Sequence, residues 1–507
     1  MRRFFLTAIL ALCSVVLGQA NAHPALLPAP TSVQWRDGEF KIERTTIVEG
    51  AGDAGRVAEY LAHALKLKTA GLGPSRIRLL LIPGGQFGGP EGYSLRVAGS
   101  EIRIEAEDPR GLFYGVQTLR QLVSETVPGQ RSVPAVEIRD GPRFKWRGLL
   151  IDVSRHFFGP PTLLRLIDVM AAYKLNVLHL HLTDYQGWRL EIPSYPRLTP
   201  TSSTGRHKTR QYYNAGDIKK IVAFAAERNI VIVPEIEMPG HAGAAAQAYP
   251  QFFGSDGIFD PAKPETYRFI RTVMATVSKL FPGPVIHFGG DEVPEETWDK
   301  MPDVVRFREA NGLQARGAVQ ACFGNEVAKI IAGVGKRPMA WDEQAEAGVS
   351  KDVLIEWWRK SKPEVRDAAV KAGYEVVLSP ADELYLDYAQ RPGEPGAPWE
   401  GNDNGPTSVA KIIAWTPVPA NYTDAEKAKV IGIEAAVWTE FIRSERYLQY
   451  MTFPRLLVVA EKAWAERDIS DAAEFTDRLQ KHIERLRKQG INARRSFDQD
   501  AVEFVTH

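Results

Sequence analysis

Two neighbouring carboxylates, Asp291 and Glu292, are the residues whose types and position most clearly favour chemistry. They follow the apolar segment 285–288 and two glycines, Gly289 and Gly290. A β-rich segment that breaks at glycines predicts a strand that delivers both acids to a turn. On a straight strand the two side chains would point to opposite faces, so the glycines must bend the backbone if both acids serve one site. Such a pair suits general acid and base catalysis, although a solvated turn could contain the same residues.

The ends of the other β-rich segments carry a consistent set of carboxylates, aromatic rings and a few cations. The residues at these ends are Asp152, Ser154, Arg155 and His156; Asp184, Tyr185, Gln186, Trp188 and Arg189; Glu235, Glu237 and His241; Trp341, Asp342 and Glu343; Trp357, Trp358 and Arg359; Tyr385 and Asp387; and Trp438, Thr439 and Glu440. Sugars stack their apolar faces on aromatic rings and pair their hydroxyls with charged side chains. This composition therefore favours a sugar site, whereas phosphate would need Gly-rich turns, which are missing, and more cations than these strand ends carry.

A metal site is the competing interpretation of the same residues. Asp184, His241 and Glu292 could in principle be ligands. Neither an HExxH motif nor a pair of closely spaced cysteines supports a zinc site, so we expect no metal and no cofactor.

The elements that must position these residues alternate between β-rich segments and amphipathic helical patterns. The eight β-rich segments are 146–153, 176–182, 230–235, 285–288, 338–341, 353–358, 374–378 and 431–438. Between them, apolar residues recur at helical spacing, as at Leu163, Leu166, Ile167 and Met170. The alternation predicts an α/β fold, a (β/α)8 TIM barrel, in which the residues after each strand meet at one end. A doubly wound sheet is the alternative, but its Gly-rich phosphate turn is absent from the sequence.

The region before the barrel has a different pattern. Segments 93–97 and 102–104 alternate apolar and polar residues as half-buried strands do, and Asp108-Pro109 predicts the start of a helix. We expect a signal peptide at 1–22, a small α+β accessory domain at 23–142, and a catalytic barrel with a C-terminal helix and tail at 143–507.

The first residues are typical of a secretory signal. Arg2 and Arg3 precede the apolar segment 4–18, and Ala20-Asn21-Ala22 supplies a small-x-small cleavage site. We expect cleavage after Ala22 and an exported protein, periplasmic or secreted, of bacterial origin. No later apolar run reaches the roughly 20 residues that span a bilayer, so we expect no membrane anchor. Cys322 would then be the one remaining cysteine, which excludes an internal disulfide.

The charge balance argues against a nucleic-acid partner. The formal net charge is +1, and removing Arg2 and Arg3 gives 1 − 2 = −1, so there is no basic excess. The cluster Arg206, His207, Lys208 and Arg210 is better explained as a solvated loop. The oligomeric state cannot be read from the sequence.

Motifs at the predicted strand ends resemble the family 20 glycoside hydrolases, the β-N-acetylhexosaminidases. These motifs are RGLLIDVSRHF (147–157), HLHLTDYQGWRLEI (179–192), VPEIEMPGH (233–241), HFGGDEV (287–293), WDE (341–343), YLDY (385–388) and WTE (438–440). They occur in order over residues 147 to about 465. The segment DPRGLFYGVQTLRQL (108–122) resembles the N-terminal domain of that family.

The resemblance implies an exo-acting, retaining enzyme that removes terminal β-linked GlcNAc or GalNAc from oligosaccharides, including chitin oligosaccharides, or from glycoconjugates. Its nucleophile would be the 2-acetamido oxygen of the substrate, and an oxazolinium-like intermediate would form. Glu292 would be the general acid and base. Asp291 would orient the acetamido group and offset its positive charge, and Tyr385 would bind the acetamido oxygen.

The resemblance also implies supporting and binding residues. Asp184 and His241 would form a relay behind Glu292, or would only brace two loops. Trp341, Trp358 and Trp438 would wall the acetamido pocket, whereas Trp357 should point away. Ring hydroxyls would be bound by Arg147, Asp387 and Glu440.

Two residues depart from the family pattern. The segment Asp184-Tyr185-Gln186 stands where many relatives resemble Asp-Asp-Gln, so Tyr185 is a departure that leaves the preferred linkage open. Glu434 stands where a glutamine is frequent. Two other functions remain open. One is a two-carboxylate glycosidase with Asp291 or Asp184 as nucleophile, and the other is a sugar-binding barrel without catalysis.

Overall fold

The computed structural model describes residues 23–203, 211–254, 257–398 and 405–495. The predicted signal segment and the basic cluster at 206–210 lie outside the described residues. In the described part of the chain, the helices are all too short or too polar to cross a bilayer.

The N-terminal region is a mixed sheet covered by two helices. Its strands are β1 (Ser32–Ile42), β2 (Ile47–Glu49), β3 (Arg76–Leu81), β4 (Tyr93–Val97), β5 (Glu101–Ala106), β6 (Ser124–Val127) and β7 (Gln130–Asp140), and its helices are α1 (Asp53–Leu65) and α2 (Pro109–Leu122). The sheet has the order β1-β7-β4-β5-β3-β2, with β6 paired to β7. Asp108 caps α2 by accepting the Arg110 N–H, and Pro109 occupies the first turn. The predicted α+β fold is confirmed.

Eight parallel strands close into a barrel in chain order, so the predicted (β/α)8 fold is confirmed. The strands are β8 (Trp146–Asp152), β9 (Val177–His181), β10 (Val231–Glu235), β11 (Val285–His287), β12 (Arg337–Trp341), β13 (Leu354–Trp357), β14 (Val376–Leu378) and β15 (Val430–Val437). Each predicted β-rich segment contains one of them or most of one. The last strand pairs with the first, Ile433 lying opposite Arg147 in the register.

Helices connect the strands and follow the last one. They are α3 (Pro160–Ala172), α4 (Leu198–Ser203), α5 (Ala215–Ala226), α6 (Gly243–Ala248), α7 (Pro264–Leu280), α8 (Glu295–Asp299), α9 (Pro302–Ala310), α10 (Ala318–Gly333), α11 (Asp342–Ala347), α12 (Pro363–Ala372), α13 (Ala381–Leu384), α14 (Val409–Ala414), α15 (Asp424–Lys427), α16 (Glu445–Thr452), α17 (Arg455–Trp464) and α18 (Ala472–Lys488). The predicted apolar stripe of α3 is buried.

The barrel interior is built in layers, because every second residue of a strand points inward. The layer at the amino ends is apolar and consists of Trp146, Val177, Val233, Val285, Met339, Leu354 and Val377. The next layer is polar and fully buried, and it contains His179, Glu235, His287, Glu356 and Glu434. At the carboxyl ends lies an aromatic cluster of Trp341 and Tyr385, with Trp358, Tyr388 and Trp438 packed against it. The polar layer therefore lies directly beneath the aromatic one.

Candidate active site

The turn after β11 brings the two neighbouring acids to the mouth of the barrel. Gly289 and Gly290 have φ of +70° and +96°, and Glu292 has φ of +48°. A Cβ on Gly289 would lie 1.7 Å from Glu237 Oε2, so only glycine fits there. The Gly290 N–H donates to Glu237 Oε1 at 2.8 Å, and Gln320 Nε2 donates to the Gly290 carbonyl at 2.9 Å. The predicted bend thus exists, and its shape is fixed by buried side chains.

Asp291 and Glu292 have different surroundings. The Asp291 side chain is 16% exposed and that of Glu292 is 60% exposed. His241 Nε2 lies 3.3 Å from Glu292 Oε2 and 3.7 Å from Asp291 Oδ2. The imidazole therefore faces both acids at once.

The pKa shifts follow from these surroundings. Burial raises the pKa of Asp291 to about 6, although the charge of His241 opposes the shift. The hydrogen bond with His241 lowers the pKa of Glu292. Burial disfavours the charged form of His241, but Asp291, Asp184 and Glu292 outweigh burial and hold the pKa of His241 well above its ordinary value. The two acids are unequal, as expected, but the directions are the reverse of those that their implied roles require.

The predicted pair Asp184 and His241 does meet behind Glu292. Asp184 Oδ1 lies 3.4 Å from His241 Nδ1, and Asp184 Oδ2 lies 3.0 Å from His181 Nε2. Arg155 Nη2 is 2.7 Å from the same carboxylate. Burial opposes ionisation, but hydrogen bonds with His181 and His241 and the charge of Arg155 hold the pKa of Asp184 well below its usual range. His181 was not among the predicted site residues.

The aromatic residues pack together at the carboxyl ends of the strands in a cluster that we call the aromatic pocket, and the charge of Asp291 acts on one of its members, Tyr385. The ring centroids of Trp341 and Trp438 are 6.1 Å apart, and those of Tyr385 and Trp358 are 6.2 Å apart in a stacked arrangement. Glu343 accepts the Trp358 Nε1–H at 3.2 Å, which fixes that ring. The predicted walls are therefore brought together.

Two further residues complete the picture of this pocket. Trp357 packs into the outer core and donates to the Lys362 carbonyl, so it points away from the pocket as predicted. Burial raises the pKa of Tyr385 well above its ordinary value, so its hydroxyl stays protonated and can donate a hydrogen bond.

Asp387 and Glu440 are close enough to each other that the charge of Glu440 acts on Asp387. Neither Asp387 oxygen has a hydrogen-bond partner among the residues that the structure describes, although the residue is only 4% exposed. Burial and the neighbouring Glu440 raise the pKa of Asp387 to about 8. Buried carboxylate oxygens without donors are unusual, and a ligand that carries hydroxyl groups would satisfy them.

Arg147, predicted to bind substrate, is not at the site. It lies at the start of β8, at the amino ends of the strands, and is fully buried. Its guanidinium donates to both carboxylate oxygens of Glu91 at 2.9 Å and to the Phe144 and Lys174 carbonyls at 2.8 Å. Arg147 therefore joins the N-terminal domain to the barrel, and its assignment to ring hydroxyls is wrong.

Arg155, eight residues after Arg147, lies at the site where Arg147 was predicted to bind substrate. It follows the carboxyl end of β8, and its side chain is 11% exposed. Its Nη2 lies 2.7 Å from Asp184 and 3.7 Å from Glu440 Oε1, and its guanidinium lies over the Trp438 ring, 5.1 Å from the centroid. The strand-end rule already contained the signal for this residue.

Comparison with known proteins decides the family. The model for the glycosyl hydrolase family 20 catalytic domain matches residues 144–467, and the model for domain 2 of the same family matches residues 23–141. The chain belongs to glycosyl hydrolase family 20. The resemblance inferred from the strand-end motifs is thereby confirmed.

Relatives of this family 20 chain are similar over most of its length. A β-hexosaminidase of Porphyromonas gingivalis is 34% identical over 503 residues, covering 92% of this chain, and the chain spans 64% of that relative's length. A β-N-acetylhexosaminidase of Cellulomonas fimi is 34% identical over 90% of this chain and 93% of its own length. The crystal structure of an exo β-N-acetylglucosaminidase from Vibrio harveyi in complex with N-acetylglucosamine superposes with a TM-score of 0.85 at 31% identity, covering 93% of this chain and 78% of that one.

The two departures from the family 20 pattern have different surroundings. The Tyr185 residue is 48% exposed, and its ring meets that of His241 edge-on with centroids 5.7 Å apart. Tyr185 therefore lies at the mouth beside the acids. Glu434 is inside the barrel, 2.8 Å from His179 Nδ1, and it accepts the Trp146 Nε1–H at 2.6 Å. The structure thus gives Glu434 a packing role in the polar layer.

Some of these family 20 residues could also approach a metal ion. His241, Asp291 and Glu292 each place one ligand atom within 4.8 Å of the others, as do His179, Glu356 and Glu434 in the barrel interior. The expected absence of a metal remains a prediction.

Proposed function

We propose that this protein is an exo-acting, retaining β-N-acetylhexosaminidase that removes terminal β-linked GlcNAc or GalNAc by substrate-assisted catalysis. One observation carries the proposal: the largely buried carboxylate of Asp291 lies between the aromatic pocket and the relay formed by His241 and Asp184. A two-carboxylate glycosidase needs an enzyme nucleophile, whereas a pocket bounded by flat rings beside a buried carboxylate suits an acetamido group. The exo β-N-acetylglucosaminidase of V. harveyi, named above, supports the same activity here.

Proton transfer in this proposal belongs to Glu292. Its side chain is exposed at the mouth, where a leaving sugar would lie, and His241 Nε2 is 3.3 Å from its Oε2. Glu292 protonates the glycosidic oxygen as the bond breaks and later removes a proton from the attacking water. The His241–Asp184 pair holds the carboxyl in place and takes part in its proton balance.

Asp291 acts on the nucleophile. Its Oδ1 has no hydrogen-bond partner among the described residues, so it is available to accept the acetamido N–H. That hydrogen bond turns the acetamido oxygen towards the anomeric carbon. The negative charge of Asp291 then stabilises the positive charge of the oxazolinium-like intermediate. Tyr385 donates to the acetamido oxygen, and Trp341, Trp358 and Trp438 exclude water around it.

Binding of the substrate reverses the order of the pKa values of Asp291 and Glu292. A sugar over Glu292 removes water from an exposed carboxyl, and desolvation raises a carboxyl pKa. The acetamido N–H and the developing positive charge favour the ionised form of Asp291, which lowers its pKa from about 6. Glu292 then carries the proton, and Asp291 carries the charge.

Ring hydroxyls are bound by Asp387, Glu440 and Arg155. The unsatisfied oxygens of Asp387 can accept two hydroxyl donors, and Arg155 can donate to a hydroxyl oxygen next to Glu440. These contacts support a site for a terminal sugar, and release from the non-reducing end is part of the proposal.

The correction at Arg147 makes a prediction about two arginines. Arg147→Met should lower the free energy of unfolding by about 3 kcal/mol, since the partly buried Glu91 loses its partner, and should leave KM within about twofold of wild type. Arg155→Met should raise KM roughly tenfold or more, because its contacts are at the site. Thermal unfolding and steady-state kinetics on an aryl N-acetyl-β-glucosaminide measure both effects. A raised KM for Arg147→Met with unchanged stability would contradict the assignment.

Asp184 is a poor candidate for an enzyme nucleophile. Its side chain is fully buried and is held by His181, His241 and Arg155, so it braces the relay. Asp291 remains the residue that a two-carboxylate mechanism would use, and the substrate pair described in the Discussion separates the two mechanisms.

Export to the periplasm or medium, and chitin oligosaccharides as natural substrates, are part of the proposal. The apolar N-terminal segment and its small-residue cleavage site support the first. Digestion of chitotetraose, followed over time by chromatography, tests the second. We expect single GlcNAc units to appear first, together with chitotriose. Early chitobiose without monomer would contradict exo action.

A further inference from the structure

Glu235, at the carboxyl end of β10, makes contacts that no step of the proposed mechanism has used. The residue is fully buried in the polar layer of the barrel. Its Oε1 accepts the Trp341 Nε1–H at 2.9 Å, and its Oε2 lies 2.5 Å from His181 Nδ1. His287 Nδ1 lies 3.0 Å from Oε1. One carboxylate therefore binds an indole and an imidazole, and two further imidazoles lie beside it: His287, whose Nδ1 accepts the Gly289 N–H, and His179, whose Nε2 is 3.4 Å from Glu235 Oε2.

The two principal partners of Glu235 belong to different parts of the site. Trp341 is a wall of the aromatic pocket. His181 contacts Asp184 through its other nitrogen, at 3.0 Å, and Asp184 leads through His241 to Glu292. The pocket that would hold the acetamido nucleophile and the relay behind the proton donor thus meet at a single side chain.

We propose that Glu235 is a positioning residue that fixes Trp341 and His181 together, and so aligns the acetamido pocket with the acid relay. The proposal rests on the proposed function and deepens it. It assigns Glu235 no contact with substrate. A carboxylate is needed at this place because both oxygens must accept: Oε1 accepts an indole N–H and Oε2 accepts an imidazole N–H.

Charges around Glu235 decide the protonation state of His181. Burial opposes ionisation of Glu235, but His181, His287 and His179 hold its pKa well below the ordinary value. Burial likewise disfavours charged His181, and Glu235 with Asp184 outweighs burial and raises its pKa to about 9, against the opposing charge of Arg155. The other titratable groups that face this layer are Glu237, Asp291, Glu356 and Glu434. His181 therefore remains charged through neutral pH.

Glu434 provides a matched control in the same layer. It is also fully buried, it accepts the Trp146 Nε1–H at 2.6 Å, and it lies 2.8 Å from His179 Nδ1. Like Glu235, it thus binds one indole and one imidazole. Trp146, however, belongs to the apolar layer at the amino ends of the strands and does not line the pocket.

The experiment compares Glu235→Gln with Glu434→Gln and wild type in the full chain. Thermal unfolding measures the structural cost of each change. The pH dependence of kcat/KM is then measured on 4-nitrophenyl N-acetyl-β-glucosaminide and on chitobiose, whose leaving groups differ in basicity. In 15N-tryptophan-labelled protein, the indole N–H signals report the Trp341 hydrogen bond.

We expect similar losses of melting temperature in the two variants but different kinetics. Glu235→Gln should lower kcat/KM roughly 10²-fold, the usual effect of misplacing catalytic groups by about 1 Å. The loss should be larger for chitobiose, because the relay serves the proton donor. Glu235→Gln removes one acidic neighbour of His181, so the pKa of His181 should fall. The alkaline limb of the pH profile of kcat/KM should therefore move to lower pH by about 1 to 2 units. Glu434→Gln should stay within about fivefold of wild type, with the alkaline limb of its pH profile unmoved, because Glu434 reaches Glu235 only through His179, which lies 2.8 Å from Glu434 and 3.4 Å from Glu235.

The outcomes separate the proposal from its alternatives. A Glu235→Gln variant with the pH profile and substrate ratio of Glu434→Gln overturns the proposal and leaves the function intact. A wild-type protein inactive on both substrates overturns the function instead. If Glu235→Gln fails to fold, Glu235→Asp keeps the charge but is too short to reach both partners, and it should lose activity at least tenfold with the alkaline limb unmoved. If neither variant folds while both matching Glu434 variants do, Glu235 is a folding residue and the proposal is wrong.

Discussion

Glu292→Gln is expected to lower kcat/KM on chitobiose by roughly 10²–10⁴-fold, the contribution that a positioned general acid usually makes. The same variant should lose far less on 4-nitrophenyl N-acetyl-β-glucosaminide, within about tenfold for the first bond cleavage, because nitrophenolate leaves without a proton. The amide would keep the size of the side chain and its contact with His241. The difference between the two substrates therefore isolates proton donation from binding.

The measurement is a pre-steady-state burst together with steady-state rates on both substrates. Separating the steps is needed because in the proposed mechanism Glu292 also activates water in the second step, so its loss should slow turnover after the burst. Glu296→Gln is a suitable control, since Glu296 is exposed on the helix that comes after the same turn. Equal losses on both substrates in the first step would show that Glu292 does not protonate the leaving group.

The barrel and the position of its site were predictable from the sequence because period and spacing are local properties. Short β-rich runs such as 285–288 are too brief for buried helices and recur between amphipathic helices such as α3. Closure of parallel strands then brings their carboxyl ends together whatever their separation along the chain. The positions of Asp291, Tyr385 and Trp438 at one end of the barrel could be predicted in this way.

Arg147 shows where the transfer of roles from a motif failed. The motif at 147–157 contains two arginines, and a role for one was placed on the other. The seven residues of β8 span about 20 Å at 3.3 Å per residue, so Arg147 and Arg155 lie near opposite ends of the strand. Only the carboxyl end carries the site, so the barrel rule alone would have selected Arg155.

The contacts of His181 and Glu235 could not be predicted from the sequence, for a different reason. His181 is the last residue of β9 and lies inside an apolar run, so it precedes the loop residues from which the site was predicted. In a closed barrel, inward-facing residues one layer below the mouth touch the residues that line it. Which oxygen meets which imidazole depends on the register of neighbouring strands, and the sequence of a single strand does not contain that information.

The acid pair itself could be located from the sequence, but its electrostatics could not. Adjacency predicts repulsion between Asp291 and Glu292 and says nothing about which acid is enclosed. The structure places Asp291 against the barrel interior and Glu292 beside His241 at the surface. Those positions raise the pKa of Asp291 and lower that of Glu292, so the proposed mechanism requires the substrate to shift the proton to Glu292.

The second large effect concerns the substrate. Replacing the 2-acetamido group by a hydroxyl is expected to lower kcat/KM by roughly 10³-fold or more, because a well-oriented intramolecular nucleophile has an effective molarity of about 10⁵–10⁸ M. The aromatic pocket of Trp341, Trp358 and Tyr385 would also lose its occupant, and Asp291 would lose the N–H that it accepts. The remaining hydroxyl contacts of the sugar ring stay the same, so the comparison isolates the nucleophile.

The most direct test is therefore a single comparison on the purified wild-type protein. It measures kcat/KM for 4-nitrophenyl N-acetyl-β-glucosaminide and for 4-nitrophenyl β-glucoside under the same conditions, with the same leaving group. The account predicts ready turnover of the first and near-silence on the second. Comparable rates would contradict it and favour an enzyme nucleophile, and turnover of neither would favour a sugar-binding barrel without catalysis.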